Sequence, residues 1–383
     1  MNFILKHIED ILAAYQGSPP LATFLKHYFK KNPLLGSRDR RAITEAAYLY
    51  YRAAPFLPGR TNPLAVLATG IRKCGTTNVF LQKITAELLS KHSGESELWN
   101  RQGKSPDVPF SSGVDRQSWL SAHLQQPDLF LRILNHAGRH LKTLADNGIP
   151  CQTIQVDGRL PVACLSLPNG TKINEMLPPQ DYVVQDRSSV AAIATAAAFR
   201  KDAGAAAKKL WDVCAGAGGK SLFWKEAFPQ DTVFATDNRK AVLDNLQERF
   251  RLYQIRHTLV SLMDVSREEN LKQVAPDFDY VLCDVPCSGS GTWGRTPERL
   301  HFFKPSQLRR LTKQQYAITS SALQKLKAGG LLIYITCSVF KPENEAVVQK
   351  LMEHYPLSLL HQELVDGSIH RADSMFVAVL SKG

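Results

Sequence analysis

A carboxylate and a thiol follow a predicted strand in the second half of the chain. Residues 279–292 read Asp-Tyr-Val-Leu-Cys-Asp-Val-Pro-Cys-Ser-Gly-Ser-Gly-Thr. The run 280–283 is continuously apolar, as in a parallel strand covered on both faces, so Asp284 falls where such sheets bind ligands. Pro286 cannot continue the ladder, which leaves Cys287 on irregular backbone.

A second thiol occupies a matching position. A predicted strand over 331–336 follows a turn at 328–330 and runs into Cys337. Two parallel strands that point the same way would bring Cys287 and Cys337 to one edge of a sheet. Most single cysteines are small buried hydrophobic residues, and Cys283, inside its strand, is assigned to that class. The matching positions of the other two thiols favour a chemical role.

Two thiols and a carboxyl group at one sheet edge suit the activation of a pyrimidine ring. Carbon 5 of a pyrimidine is a poor nucleophile. A thiolate that adds to carbon 6 activates it, while a carboxyl group hydrogen-bonds the ring edge. The adduct can then accept a methyl group. Because the proton on carbon 5 must leave and the thiol must be eliminated, a second thiol or a nearby base has a role as well.

The composition indicates a protein of a reducing compartment with a polyanionic partner. The 383 residues include 47 Lys and Arg against 35 Asp and Glu, and the net charge of +12 suits a polyanionic partner. Seven cysteines without regular spacing argue against a disulfide framework, and the pair Cys283 and Cys287 lacks a second ligand pair at zinc spacing, so no metal is expected. No apolar run reaches about 18 residues. We therefore expect a cytoplasmic, monomeric protein without a membrane partner.

Three regions follow one another along the chain. Residues 1–105 show helical periodicity and predict an RNA-binding domain, residues 113–178 predict a small α+β subdomain, and residues 179–383 predict the catalytic domain. In the first region, Ser37 is a candidate N-cap for a helix that runs to about Arg52.

The stretch from Leu21 to Arg60 is strongly basic. It carries eight Lys or Arg against two acidic residues, with aromatic residues between them. Two interpretations stay open: a solvated helical surface, or a patch that binds the RNA backbone. The basic residues are Lys26, Lys30, Lys31, Arg38, Arg40, Arg41, Arg52 and Arg60, and the aromatic residues are Tyr28, Phe29, Tyr48, Tyr50 and Tyr51. In the next region Arg132 and Arg139 could touch RNA, although packing or solvation is the favoured interpretation.

Strands and helices alternate from residue 181 onward. Apolar strands are predicted over 210–214, 232–236, 257–262 and 280–283, with helices over 190–199 and 240–253. This alternation predicts an α/β fold with a doubly wound, Rossmann-like parallel sheet. Acidic residues stand at the ends of three of the strands, namely Asp237, Asp264 and Asp284.

A glycine-rich turn follows the first of these strands. Its residues are Cys214, Ala215, Gly216, Ala217, Gly218, Gly219 and Lys220. A phosphate-binding loop would need glycine at Cys214, and a dinucleotide fingerprint would need glycine at Ser221, so both patterns fail. The turn still lets a ligand approach closely, with Asp237 placed for ribose hydroxyls and Asp264 for an adenine amino group. A ligand with ribose but no phosphate, S-adenosylmethionine, fits this pattern.

These motifs resemble those of the Sun/Fmu-type (RsmB/NOL/NOP/Sun) RNA cytosine-C5 methyltransferases. The resemblance covers 119–383 and rests on four motifs, of which the last two are highly specific. They are Val184-Gln185-Asp186-x-Ser188-Ser189, Asp212-x-Cys214 continuing to Lys220, Asp284-Val285-Pro286-Cys287-Ser288-Gly289-Ser290-Gly291, and Thr336-Cys337-Ser338 with Glu343-Asn344-Glu345. The resemblance implies that Cys337 is the nucleophile, that Cys287 assists product release and that Asp284 meets the cytosine. It also implies that S-adenosylmethionine binds residues 214–220 with Asp237, Asp264 and Asp284.

Some residues depart from the family pattern. Gly216 and Ala217 replace Ala-Pro in the glycine turn, and Asp237 is shorter than the usual Glu. The resemblance implies ribosomal RNA as the substrate, with transfer RNA as an alternative. A different class of function also stays open, namely a ribosome-assembly factor that uses neither thiol. An amino-group methyltransferase is disfavoured because Cys287, and not an aromatic residue, follows Pro286.

Overall fold

Two compact units make up the part of the chain that this computed structural model describes, residues 2–59, 61–92, 94, 98–156, 162–200 and 206–383. The helical unit comprises Met1–Asp107, Asp115–Gln126 and Thr292–Pro305, and the sheet unit comprises Val108–Val114, Pro127–Gly291 and Ser306–Gly383. The predicted domain boundaries at 105, 113 and 178 stay predictions.

The helical unit packs amphipathic helices around one apolar core. Its helices are α1 (Asn2–Ala14), α2 (Leu21–Lys31), α3 (Ser37–Ala53), α4 (Pro63–Cys74), α5 (Val79–Lys91), α6 (Arg116–Ala122) and α11 (Glu298–Phe302). Ile8 and Ile11 enter the core from one face of α1, as their helical spacing predicts. The predicted cap of α3 is wrong by one residue. Gly36 is the N-cap, because its N–H donates to the Asp39 carboxylate at 3.0 Å, and Ser37 is already helical.

Part of the predicted RNA-binding patch belongs to the interior of the helical unit. Arg52 is 3% exposed and donates hydrogen bonds to the carbonyl oxygens of His123, Gln125 and Gly294. Tyr51 is 1% exposed, and the other four aromatic residues pack against the same apolar core. For Arg52 neither the solvated surface nor the RNA-backbone patch is correct, and Tyr51 is also part of the interior. Lys26, Lys30, Lys31, Arg38 and Arg41 are exposed, and Arg60 lies outside the described residues.

The sheet unit contains two sheets. The smaller is antiparallel, has the strand order β2-β3-β1-β4 and packs against α7. Its elements are β1 (Leu129–Ile133), α7 (Ala137–Asp146), β2 (Gln152–Val156), β3 (Val162–Leu167) and β4 (Tyr182–Val184). Arg132 on β1 is buried, with its guanidinium 5.2 Å from the centre of the Phe223 ring, so the packing interpretation of Arg132 is confirmed.

The larger sheet has seven strands in the order β10-β11-β9-β8-β5-β6-β7. The strands are β5 (Lys209–Asp212), β6 (Thr232–Asp237), β7 (Thr258–Leu262), β8 (Phe278–Asp284), β9 (Leu326–Thr336), β10 (Leu357–Val365) and β11 (Met375–Lys382). The helices of this layer are α8 (Arg187–Ala197), α9 (Gly219–Ala227), α10 (Lys240–Leu252), α12 (Gln307–Leu323) and α13 (Glu345–His354). The predicted Rossmann-like fold class is confirmed.

The sheet is mixed rather than wholly parallel. Strands β5 to β9 pair in parallel, whereas β11 is antiparallel to both β9 and β10. The connection 366–374 between β10 and β11 is too short for the crossover that a parallel pair requires. The predicted turn at 328–330 lies inside β9, where Gly329 has φ +71° and the register with β8 shifts.

Both faces of the large sheet are covered by helices. Successive residues of β8 point to opposite faces, which explains why the strand is continuously apolar. Leu282 joins the core that contains α8, α9 and α10, and Cys283 joins the core that contains α12 and α13. Cys283 is fully buried, so its assignment to the core is confirmed. The chain crosses from β7 to β8 on the other side of β5, which opens a crevice at the carboxyl ends of β5 and β8. Within the described residues, no helix has the length and apolar character needed to cross a bilayer.

Candidate active site

The two predicted thiols meet at the carboxyl edge of the large sheet. The Sγ atoms of Cys287 and Cys337 lie 3.2 Å apart, and both residues are half-buried free thiols. The pKa of Cys287 is raised well above its ordinary value by its hydrogen bond to Cys337 and then by burial. The contact and the burial therefore favour the protonated form of Cys287.

A partly buried ion pair lies beside the thiols. Lys220, at the start of α9, places its Nζ atom 2.6 Å from Oδ2 of Asp284 at the end of β8. Burial disfavours the charge on Lys220, but the attraction and hydrogen bond of Asp284, with further contributions from Asp212 and Cys337, raise its pKa. Lys220 is therefore held as a cation beside Asp284, in the neighbourhood of Cys337. In sequence Lys220 belongs to the glycine turn, but its side chain contacts Asp284 at the sheet edge that carries the thiols.

Asp212 is a buried carboxyl group for which the sequence suggests no role beyond its motif. It ends β5 and is 1% exposed; the Ser221 hydroxyl donates to Oδ2 at 2.6 Å, while Oδ1 has no hydrogen-bond partner among the described residues. Burial raises the pKa of Asp212 to about 7, with Ser221 opposing the shift. Its place at a strand end directly before a glycine turn is the signal that could have singled it out.

The glycine turn adopts backbone conformations that side chains resist. Gly216 and Gly218 have φ of +53° and +79°. A Cβ atom on Gly218 would lie 2.0 Å from Leu246 of α10, so this glycine allows α9 and α10 to pack closely. Burial raises the pKa of Cys214 well above its ordinary value, so Cys214 is no rival to the thiol pair as a nucleophile.

The acid predicted to bind ribose is ordered at the glycine turn. Asp237 accepts hydrogen bonds from the N–H of Gly216 at 3.0 Å and from the Arg239 guanidinium at 2.9 Å through both oxygens. Burial opposes ionisation, but the hydrogen bonds and charge of Arg239 lower the pKa of Asp237. The Arg239 side chain is 63% exposed. Asp237 is therefore an ionised acceptor whose present partner can move into solvent.

The acid predicted to bind adenine lies in its own turn. Asp264 accepts hydrogen bonds from the N–H and the hydroxyl group of Ser266, at 3.1 and 2.6 Å, and Arg267 lies 3.4 Å away. The carboxylate is partly exposed after β7. Its role at adenine stays a prediction.

Two further buried side chains connect the loops that carry the thiols. Glu343 accepts a hydrogen bond from the Ser288 N–H at 2.8 Å and one from the Ser338 hydroxyl at 2.6 Å. Gln315 on α12 donates to the same carboxylate at 3.0 Å. Glu343 was recognised only as part of a motif, and sequence reasoning missed Gln315, which has no local pattern to mark it.

Comparison with known proteins identifies related sequences for less than half of the chain. Residues 204–379 match the family described as 16S rRNA methyltransferase RsmB/F. The chain is 34% identical over 178 residues to the tRNA (cytosine(34)-C(5))-methyltransferase of Drosophila melanogaster, covering 41% of this chain and 23% of that protein. It is 30% identical over 149 residues to the ribosomal RNA small subunit methyltransferase B of Yersinia pseudotuberculosis, covering 39% of this chain and 34% of that protein. The chain therefore matches about a third or less of the length of these relatives.

Solved structures share the fold over a larger part of the chain. The crystal structure of PH0851 has a TM-score of 0.67 at 17% identity and covers 95% of each chain. A methyltransferase homolog protein from Pyrococcus horikoshii has a TM-score of 0.58 at 17% identity, covering 82% of this chain and 97% of its own. At this level of identity the likeness establishes the fold.

Proposed function

We propose, from the match of residues 204–379 to the RsmB/F methyltransferase family, that this protein methylates carbon 5 of a cytosine in RNA, with S-adenosylmethionine as the methyl donor. The observation that carries the proposal is the thiol pair, with 3.2 Å between the sulfur atoms, at the sheet edge that also holds the Lys220–Asp284 ion pair. Carbon 5 methylation needs one group to attack carbon 6 and another to assist elimination. The cytosine must leave its stack to reach this edge.

The residues around the glycine turn fit S-adenosylmethionine. Ionised Asp237 offers acceptors beside Gly216 for two ribose hydroxyls, and the buried Oδ1 atom of Asp212 offers an acceptor for a positively charged ligand. Asp264 is the proposed contact of the adenine amino group. When bound, this cofactor supplies an electrophilic methyl group on a sulfonium centre. The turn itself, Cys214 to Lys220, approaches the ligand through its backbone.

The two thiols divide the covalent chemistry. The thiolate of Cys337 attacks carbon 6, which forms the sulfur–carbon bond and moves electron density to carbon 5, while Asp284 and Lys220 stabilise the ring edge. Once carbon 5 carries the methyl group, its proton passes to Cys287 or a nearby base. The double bond between carbons 5 and 6 then forms again, and the bond to Cys337 breaks to release a thiolate.

A change in the charge of Cys337 explains how Cys287 can become a base. In the free protein the hydrogen bond to Cys337 is the first cause of the raised pKa of Cys287. In the proposed mechanism the thiolate of Cys337 becomes a neutral thioether when it bonds to carbon 6, so it no longer opposes ionisation of Cys287. Cys287 can then lose its proton to water and, as a thiolate, accept the proton from carbon 5.

Ribosomal RNA is the proposed substrate, and transfer RNA is the alternative. The matched family is described by ribosomal RNA, whereas one of the two relatives compared is named for transfer RNA. The exposed cations of the helical unit support binding to an RNA backbone, whichever RNA it belongs to. Sequencing bisulfite-treated RNA from cells with and without the gene tests both substrates at once. A cytosine protected only in the presence of the gene identifies the substrate.

The alternative of a non-catalytic ribosome-assembly factor has its own test. Purified protein, RNA from the deletion strain and labelled S-adenosylmethionine should give RNA that carries the label, and Cys337→Ala should give none. RNA that binds tightly to the wild-type protein yet acquires no methyl group would favour the assembly factor.

A further inference from the structure

One buried carboxylate holds the residues that follow both thiols. Glu343 has 0% of its surface exposed. Its Oε2 atom accepts hydrogen bonds from the hydroxyl groups of Ser288 and Ser338, each at 2.6 Å, and its Oε1 atom accepts the Ser288 N–H at 2.8 Å. Ser288 follows Cys287, and Ser338 follows Cys337. The loop of each thiol is therefore tied to the same group.

Gln315 completes this arrangement from α12. Its Nε2 atom donates to Oε1 of Glu343 and to the carbonyl oxygen of Pro286, both at 3.0 Å. Because both partners are acceptors, the amide nitrogen of Gln315 must face them. Pro286 precedes Cys287, so the Cys287 loop is held on both sides, by Gln315 at Pro286 and by Glu343 at Ser288.

The Cys337 loop has a support that does not involve Gln315. The Thr336 hydroxyl donates to Oδ1 of Asn344 at 2.5 Å, and Nδ2 of Asn344 donates to the carbonyl oxygen of Ser338 at 2.9 Å. Cys337 is thus held on both sides by Asn344 and also by Glu343. Removing Gln315 should loosen the Cys287 loop while leaving the main supports of Cys337 in place.

We propose that Gln315 and Glu343 are positioning residues that set the separation of the two thiols, and that Gln315 acts on the step that needs Cys287. This inference rests on the proposed function. Attack on carbon 6 needs only Cys337 and its neighbours, whereas elimination needs Cys287 within reach of the adduct. Loss of the Gln315 amide therefore slows elimination more than attack.

The test uses the full chain with Gln315→Met, which keeps most of the side-chain volume and removes the donor. Gln324→Met, at the exposed end of α12, is the matched control. With substrate RNA and S-adenosylmethionine, Gln315→Met should turn over about tenfold more slowly, equivalent to about 1.4 kcal/mol. A denaturing gel should show more RNA-linked protein than in wild type, and Gln324→Met should match wild type. Slower turnover without accumulated adduct would overturn the proposal, because attack would then be the step affected.

A second measurement needs no RNA. Iodoacetamide labelling mapped by mass spectrometry compares the rates at Cys287 and Cys337 in the free protein. Gln315→Met should label Cys287 several-fold faster and leave Cys337 within twofold of wild type. Equal changes at both thiols, or none, in a protein with wild-type circular dichroism would refute selective positioning. If Gln315→Met does not fold, Gln315→Leu, which also removes the donor, is measured in the same way, with the same outcomes expected and excluded.

The two measurements also separate this inference from the proposed function. If wild type incorporates no methyl group and Cys287→Ala forms no adduct with any RNA, the proposed function fails and so does the catalytic part of the inference. The labelling ratio then still decides whether Gln315 sets the position of Cys287.

Discussion

Replacing Asp237 by alanine should weaken binding of S-adenosylmethionine by about 1.5–3 kcal/mol, the usual loss for hydrogen bonds to a charged acceptor, or roughly 10- to 150-fold in Kd. The structure supports a loss of affinity at the upper end of this range. Asp237 is ionised and anchors the glycine turn through the Gly216 N–H, so alanine removes an acceptor and a support of the turn together.

The contact between Arg239 and Asp237 competes with the ribose, so Arg239→Met serves as the control variant. Ribose hydroxyls must displace the guanidinium from Asp237, but an ion pair with a side chain that is 63% exposed is worth only about 0–1 kcal/mol. Arg239→Met should therefore leave the affinity within about fivefold of wild type, on the tighter side.

Isothermal titration calorimetry on both variants decides the point, with circular dichroism to establish folding. An unchanged Kd for S-adenosylmethionine in Asp237→Ala would refute the assignment of Asp237 to the ribose. Equal losses in the two variants would mean that Arg239 contacts the cofactor itself and is not a displaced competitor.

Three other predictions concern the thiols, the basic surface and the buried acid. Cys337→Ala should abolish both methylation and the RNA adduct, whereas Cys287→Ala should accumulate RNA-linked protein on a denaturing gel; an adduct from Cys337→Ala alone would reverse the two roles. Arg38→Gln combined with Arg41→Gln should reduce the salt slope of RNA binding, measured by anisotropy, by about 1.4–1.8 units if both cations contact phosphates; an unchanged slope would indicate a solvated surface. The pKa of Asp212 in the folded protein, about 7, lies above the ordinary value of 3.8, so stability should fall as pH rises through this interval, by up to about 4 kcal/mol. Asp212→Asn should flatten that part of the profile in urea unfolding at pH 5 and 8, and equal slopes in both proteins would contradict the assignment.

The strand-end residues were the part of the site that sequence alone could predict. Cys287, Asp284 and Cys337 follow continuous apolar runs, and the parallel geometry of such runs brings their ends together without any knowledge of the loops. Gln315 could not be found in this way. It is one polar residue in a helix, and its partner Glu343 lies 28 residues further along the chain.

The burial of a charged residue was another feature that could not be predicted from the sequence. Arg52 has the pattern of a surface cation on α3, and only carbonyl groups supplied by distant segments make its burial favourable. The antiparallel direction of β11 was not predicted from the sequence, for a related reason. Strand direction depends on the length of the preceding connection, and the apolar pattern of the strand carries no information about it.

The helical unit contains a segment, Thr292–Pro305, that is far from the rest of the unit in sequence. Phe302 packs its ring against Tyr15 at 5.4 Å between centroids, and Arg52 donates to the carbonyl oxygen of Gly294. During translation these partners emerge after most of the chain has been made, at about 5–20 residues per second. A nascent chain of the first 130 residues would carry Arg52 without one of its acceptors and Tyr15 without Phe302. The helices that precede residue 130 therefore leave the ribosome well before the segment that completes their packing.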